Sequence, residues 1–235
     1  MAFKLGDPRI SAEIQKEAFG NYDLVYGPRG WLLIDGSLAV EKPLPPADLY
    51  FCTGNPGKVT SAQRSLGDKF KISSLELQIS EDDHSIEKIS EHKVRVAYAV
   101  VCCPVIADDS AFVIPSREGY PGVKVGRELK DKGLPYFLEI ARADRRGYVE
   151  ASFVMALAYF DGNLERPAHF VSTVSGRLIS EERGEYPQPH TKSELSTAFI
   201  INGCAKTIAE MTREEYDQYA RTDRWKLLKE FLEKR

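Results

Sequence analysis

Asp48-Leu-Tyr-Phe-Cys-Thr-Gly-Asn-Pro-Gly-Lys58 sets how the rest of this chain is read. Asp48–Thr53 is a short, mostly apolar strand that runs straight into Gly54-Asn55-Pro56-Gly57-Lys58. From Val59 to about Lys69 the pattern turns helical. A strand, a glycine-bearing turn with a lysine and a helix start form an arrangement that can cradle phosphate. Backbone N–H groups and the helix dipole face the anion, and the lysine adds a point charge. This is not a Walker P-loop, which needs four residues between its first glycine and Gly-Lys. The same residues also make an ordinary Asn-Pro-Gly turn, so alone they establish only that β leads into α.

Downstream the alternation continues. Phe70–Ser80 holds two short strand-like pieces and leads into Glu81-Asp82-Asp83. Ser85 is placed to cap a helix through about Val101, with Ile86, Ile89, Val94, Ala97 and Val101 on its apolar face and Lys93 off the centre of that stripe. Then comes Pro104-Val-Ile-Ala-Asp108-Asp109-Ser110-Ala-Phe-Val-Ile114. Two adjacent carboxylates at the end of a buried strand are costly unless a cation or partner neutralises them, which marks them as a metal or proton-transfer site. Asp and Ser also favour turns, so an Asp-Asp-Ser turn is the other reading.

Beyond Pro121-Gly122, Val125–Lys132 is strongly polar, and Tyr136–Ala143 has helical apolar spacing. Val149–Phe160 is apolar for too long to be a surface strand and is expected in the middle of a sheet. Asp161-Gly162 signals a hairpin turn into a strand at His169–Gly176. After Thr207–Glu210 a charged helix starts at Arg213, and Trp225, Leu228, Phe231 and Leu232 dock its last part on the core.

Upstream, residues 1–48 look like an extension. Ser11–Phe19 has the spacing of a short capped helix, Asp23–Val40 reads as a hairpin, and Lys42-Pro-Leu-Pro-Pro46 is a stiff connector. Residues 49–235 form the expected main domain, of α/β class with a mixed sheet and flanking helices.

The bulk composition narrows the function classes. A chain of 235 residues with 43% hydrophobic and 29% charged residues fits an ordinary globular protein with a sizeable core. A net charge of −3 and a pI near 5.9 give no basic footprint for duplex nucleic acid. No apolar run approaches the roughly 20 residues that span a bilayer, and no secretion signal is seen. Cys52, Cys102, Cys103 and Cys204 show no zinc-ligand spacing and read as thiols in a reducing compartment, so a cytoplasmic protein is expected.

Thr53, Gly54, Asn55, Lys58, Glu81, Lys93 and Asp108-Asp109-Ser110 all fall at predicted strand ends or on the helix between two strands, where an α/β sheet gathers its ligands. Three carboxylates suit Mg²⁺, and two lysines with a glycine turn suit a polyphosphate. A carboxylate beside the metal can activate water. The residues themselves therefore point to a metal-dependent phosphoanhydride hydrolase or transferase.

The chain from about Leu49 onward resembles the inosine triphosphate pyrophosphatases, which remove pyrophosphate from non-standard purine nucleoside triphosphates. Phe51–Lys58 resembles that family's T/S-G-N-x-x-K motif, and Ala107-Asp-Asp-Ser110 its A-D-D-S-G motif, with Ala111 for the glycine. Pro121-Gly122-Val123 followed by Arg127 resembles P-G-V-x-S-A-R, while Ser175-Gly-Arg177 and Arg183-Gly184 resemble the G-R-I and P-R-G pieces. Phe199-Ile-x-x-Gly203-x-x-Lys206-Thr-x-Ala-Glu210-Met211 follows the family's F-I-x-x-G-x-x-K-T-x-A-E-L run without a gap.

The resemblance implies a two-lobed elongated sheet protein around a nucleotide cleft, usually a homodimer, acting on a nucleoside triphosphate with Mg²⁺. It implies that Thr53, Gly54, Asn55 and Lys58 hold the triphosphate with Lys93 near it, and that Glu81 and Asp108 ligate the metal. Asp109 would be the general base or share the metal, Lys58 would join it in catalysis, and Ser110 would touch substrate. The base half departs from the family. Its F-G-Y/W-D-P is replaced by Ser193-Glu194-Leu195-Ser196-Thr197, its E-E-K-N by Glu214-Glu215-Tyr216-Asp217, and its S-H-R by Thr222-Asp223-Arg224 after a two-residue insertion. Ser196 and Arg224 are the substrate contacts expected to remain there. Such losses alter or abolish base specificity. The readings are therefore a pyrophosphatase with changed base preference, a nucleotide-binding or scaffold protein without turnover, or a hydrolase of another phosphoanhydride.

Overall fold

The computed structural model describes residues 22–27, 30–35, 38–40, 47–77, 79, 83, 85–220 and 224–235. The expected helix at Ser11–Phe19 and the connector at Lys42–Pro46 lie outside the described residues. Near the N-terminus, β1 (Tyr22–Gly27), β2 (Gly30–Asp35) and β3 (Leu38–Val40) make a three-stranded antiparallel sheet in the order β1-β2-β3.

The main sheet has seven strands: β4 (Leu49–Cys52), β5 (Ile72–Leu75), β6 (Val105–Val113), β7 (Pro121–Gly122), β8 (Tyr148–Phe160), β9 (Ala168–Ile179) and β10 (Phe199–Ile201). Their order is β10-β9-β8-β6-β4-β5, with β7 paired to β6. By internal packing the chain divides into two compact units. The first holds the chain up to Asp109, Ala156–Phe170 and Trp225–Arg235; the second holds Ser110–Met155 and Val171–Arg224.

In the first unit β4 pairs in parallel with both neighbours, Cys52 opposite Leu75 on β5 and Phe51 opposite Ile106 on β6. Parallel neighbours need crossover helices. These are α1 (Pro56–Leu66), which leads from β4 to β5, and α2 (Ile86–Val101), which leads back past β4 to β6. The two crossovers run in opposite directions along the sheet, so right-handed connections put the helices on opposite faces.

The core shows this side by side. Ala62 and Leu66 of α1 pack with Leu49, Phe51, Ile106 and Leu157. Val94, Ala97 and Val101 of α2 pack with Tyr50, Cys52, Val105, Ala107 and Ala158. Odd and even residues of each strand thus serve different layers, as the two-residue period of a strand requires. All four β4 residues are buried, which explains why that strand reads as one continuous apolar run. The last helix, α5 (Arg224–Leu232), sets Trp225 edge-on to Phe51 with ring centroids 5.8 Å apart.

In the second unit Phe112, Phe137, Leu178, Leu195 and Phe199 are each fully buried in one cluster. β10 runs antiparallel to β9, with Ile201 opposite Gly176. A Cβ at Gly176 would lie 2.1 Å from the Ile200 carbonyl oxygen, so only glycine lets the two strands approach. The polar stretch Val125–Lys132 is the first half of α3 (Val125–Arg142), interrupted at Gly133 (φ 72°) ahead of Pro135.

Asp161-Gly162 is not a two-residue hairpin turn. β8 ends at Phe160 and β9 resumes at Ala168, while the Asp161 carboxylate accepts from the amides of Asn163 (2.9 Å) and Leu164 (3.2 Å) to shape a longer connection. Of the two strand-like pieces expected in Phe70–Ser80, the described residues show one, β5. The helix expected from Arg213 is two helices, α4 (Arg213–Tyr219) and α5. Thr212 and Glu215 form a reciprocal capping box at the start of α4. Among the described residues no helix is long and apolar enough to cross a membrane.

Candidate active site

The turn after β4 is held by its own side chains. Thr53 Oγ1 accepts from the Asn55 amide at 3.1 Å. Asn55 is the N-cap of α1, and its Oδ1 accepts from the amides of Gly57 (2.9 Å) and Lys58 (3.3 Å). Pro56 at the first helical position has no N–H to satisfy, which suits it to that place. Two of the helix's amino-terminal amides are therefore already capped, so an anion at this turn relies on lysine side chains as much as on the helix end.

Those lysines come from the two sheet faces. Asp108 and Asp109 are consecutive on β6 and so point to opposite sides. Asp108 continues the Ile106 layer shared with α1, and α1 sends Lys58 to it, Nζ to Oδ1 2.6 Å. Asp109 continues the Ala107 layer shared with α2, and α2 sends Lys93 to it, Nζ to Oδ1 3.2 Å. The Asp108 side chain is only 4% exposed and that of Asp109 15%. An ion pair this enclosed is costly to break from one side, on the order of 3–5 kcal/mol, because the partner charge stays behind. A cavity of about 300 Å³ opens over the group, lined by the Thr53–Lys58 turn, Lys93, Asp108, Asp109, Cys52, Leu77 and Ile79. That volume is at the small end of ligand sites.

The structure thus gathers Thr53, Gly54, Asn55, Lys58, Lys93, Asp108 and Asp109 around one cavity in the first unit. Glu81 lies outside the described residues. Ser110 follows on β6, half-buried, and belongs to the second unit. Ser196 and Arg224 also belong to that unit, each 3% exposed. Ser196 sits in the short 3-10 turn Glu194–Thr197, its amide donating to the Ser193 carbonyl at 3.0 Å. Arg224 Nη1 reaches Met155 Sδ at 3.2 Å and Ser172 Oγ at 3.5 Å. Tyr216, where the related motif has lysine, is half-buried with its ring 5.4 Å from that of His190. Burial pushes its hydroxyl pKa up, against the pull of Arg224 and Arg213.

One carboxylate was missed. A Cβ on Gly54 would come within 3.0 Å of Glu76 Oε1, so the Glu76 carboxyl lies against the turn. The strand register accounts for it: Cys52 is opposite Leu75, so the residues that follow, Thr53 and Glu76, leave the sheet side by side. The signal was an acid just past a short strand, inside the stretch Phe70–Ser80 that reads as two short strand-like pieces.

These donors suit a hard cation, being carboxylate oxygens beside a polar cavity. Among the described residues no three His, Cys, Asp or Glu side chains converge as a ready-made cage. Mg²⁺ does not need one, since it is commonly held by one or two carboxylates together with substrate phosphates. The arrangement can place two cations and two anions around a phosphoanhydride, with a carboxylate left to accept a proton from water.

Known proteins resemble this chain in sequence and fold. The sequence profile of the Ham1 family matches residues 49–233. A dITP/XTP pyrophosphatase from Thermococcus kodakarensis is 30% identical over 189 residues, covering 78% of this chain and 94% of the relative. An inosine triphosphate pyrophosphatase from Aspergillus fumigatus is 27% identical, covering 73% of this chain and 87% of the relative. Among solved structures, a HAM1 protein from Coxiella burnetii superposes with a TM-score of 0.68 at 20% identity, covering 80% of this chain and 98% of its own. The Staphylococcus aureus Ham1 protein gives 0.66 at 20% identity, covering 79% and 97%. At that identity the two structures speak for the fold.

Proposed function

The chain belongs to the Ham1 family, and from that premise we propose that it hydrolyses non-standard purine nucleoside triphosphates to the monophosphate and pyrophosphate with Mg²⁺. The observation that carries the reading is the crossed set of Lys58 with Asp108 and Lys93 with Asp109 beside the Thr53–Lys58 turn. Relatives named dITP/XTP pyrophosphatase and inosine triphosphate pyrophosphatase support the substrate class.

In this reading Lys58, Lys93 and the polar groups of Thr53 and Asn55 bind and orient the triphosphate. Asp108 and Asp109 would hold Mg²⁺, and the Glu76 carboxyl lies against the turn at Gly54. The metal supplies Lewis-acid polarisation of the phosphoryl oxygens. Asp109, more exposed than Asp108, takes the proton from the attacking water. One water oxygen–phosphorus bond forms, the anhydride bond between the α and β phosphorus atoms breaks, and the lysines neutralise the departing pyrophosphate. Positioning and charge stabilisation carry most of such a reaction.

The second unit carries the difference from the relatives. Its rewritten positions Leu195, Ser196 and Thr197 are all buried, so they offer a base less to hydrogen-bond than the aromatic–aspartate pair they replace. We take base preference to be broadened. A homodimer in the cytoplasm belongs to the same proposal, and a solution mass twice the 26.4 kDa of one chain checks the dimer. Incubating the protein and Mg²⁺ with ITP, dITP, XTP and the standard nucleotides tests the reading. Pyrophosphate from the non-standard purines is expected; no nucleotide consumed overturns it.

A further inference from the structure

In the cavity of the first unit, two described lysines are each ion-paired with one of two aspartates. Lys58 Nζ lies 2.6 Å from Asp108 and Lys93 Nζ 3.2 Å from Asp109, with three of the four side chains under a fifth exposed and Lys58 at 24%. The groups that would bind phosphate are therefore holding the groups that would bind metal. A divalent cation arriving alone must pull both carboxylates from their lysines and leaves two ammonium groups facing it. A polyphosphate arriving alone must take both lysines and leaves two carboxylates facing its own negative charge. Arriving together, each satisfies what the other releases: the lysines swing to phosphate and the aspartates to metal.

We propose that Lys58 and Lys93 act as built-in counter-ions that make metal and polyphosphate binding mutually dependent, so that the site refuses either alone. This rests on the reading of the cavity as a metal–triphosphate site. Linkage makes the coupling reciprocal, and couplings of this kind commonly amount to about 5- to 150-fold in affinity. The device keeps free Mg²⁺ and free phosphate from occupying the cavity and selects the metal–triphosphate complex as the species admitted.

The test uses each component separately, which avoids their chelating each other in solution. Mn²⁺, an oxygen-seeking octahedral stand-in for Mg²⁺, is titrated into the full-length protein without phosphate, and the free ion is read by electron paramagnetic resonance. Inorganic tripolyphosphate is titrated calorimetrically in EDTA. Lys93→Met removes the ammonium group beside Asp109 and is expected to tighten Mn²⁺ binding at least several-fold. Asp109→Asn removes the negative charge beside Lys93 and is expected to tighten tripolyphosphate binding in EDTA by a similar factor. Both are gains of affinity, which a misfolded variant does not produce, and thermal melting confirms the fold. If the native protein binds each component and the variants bind more weakly or unchanged, the counter-ion proposal is overturned while the assignment of the site stands. If neither the native protein nor either variant binds Mn²⁺ or tripolyphosphate, the assignment falls as well.

Discussion

The two units keep their polar groups in opposite ways. In the first, charged side chains line an open cavity: Lys58, Lys93, Asp108 and Asp109 meet there with a capped turn. In the second, the polar residues at the positions that the resemblance assigns to base choice are turned inward. Ser196, Thr197 and Arg224 are 3–4% exposed, and Tyr216 packs on His190. Enclosed charges are costly unless paired, and here each aspartate has a lysine beside it and both pairs line a cavity. Small hydroxyls in a 3-10 turn are cheap, because local backbone bonds satisfy them, as Thr197 Oγ1 donating to the Glu194 carbonyl at 2.8 Å shows. The first pattern suits a ligand site, and the second suits packing.

The sharpest way to break that contrast is to remove charge from the first unit. Asp109→Asn keeps the shape but loses the proton acceptor, and turnover is expected to fall about 10²- to 10⁴-fold in steady-state pyrophosphate release. A loss under tenfold would move the chemistry elsewhere. In the second unit the largest effect expected is on stability. Gly176→Ala drives a Cβ into backbone at 2.1 Å, and a loss of about 3 kcal/mol or more should appear in denaturant unfolding.

A smaller effect separates the units by pH. Burial, then the Asp161 carboxylate, push the Tyr159 hydroxyl pKa from 10 to about 12. The folded chain thus keeps a proton that the unfolded chain releases above pH 10. Its stabilisation is complete below pH 10 and fades as pH rises towards 12. Tyr159→Phe should flatten that part of the pH–stability curve, and an unchanged slope would remove Tyr159 from the account. The least effect is expected from Ser196→Ala. With a buried serine in a packing role, KM for ITP should change less than about threefold, whereas a tenfold rise would restore Ser196 as a base contact.

Much of the first unit was legible because its residues answer to local rules. An apolar run and a Ser85 cap specify β4 and α2 with little help from elsewhere, while α1 starts at Pro56, three residues before the Val59 start expected, because Asn55 caps it. The paired aspartates stood out because buried like charges demand an explanation. What stayed hidden depended on partners distant in sequence. β10 is only three residues long and exists through its pairing with β9, and β7 is two residues held against β6. Val125–Lys132 hides its helix because one turn of it is polar and Gly133 breaks the period. Glu76 could be placed beside Gly54 only once the register of β4 and β5 was known. That each lysine serves one aspartate across its own sheet face follows from crossover topology, which spacing alone does not give.

The central claim is that the first unit's lysine–aspartate set performs metal-dependent cleavage of a nucleoside triphosphate. Its most direct test is product analysis for native protein, Lys58→Met and Asp108→Asn, each with ITP in Mg²⁺ or in EDTA. Equal amounts of monophosphate and pyrophosphate from the native protein in Mg²⁺, with almost none in EDTA or from either variant, are the predicted result. Orthophosphate and the nucleoside diphosphate as products, turnover that persists in EDTA, or variants as active as the native protein would contradict it.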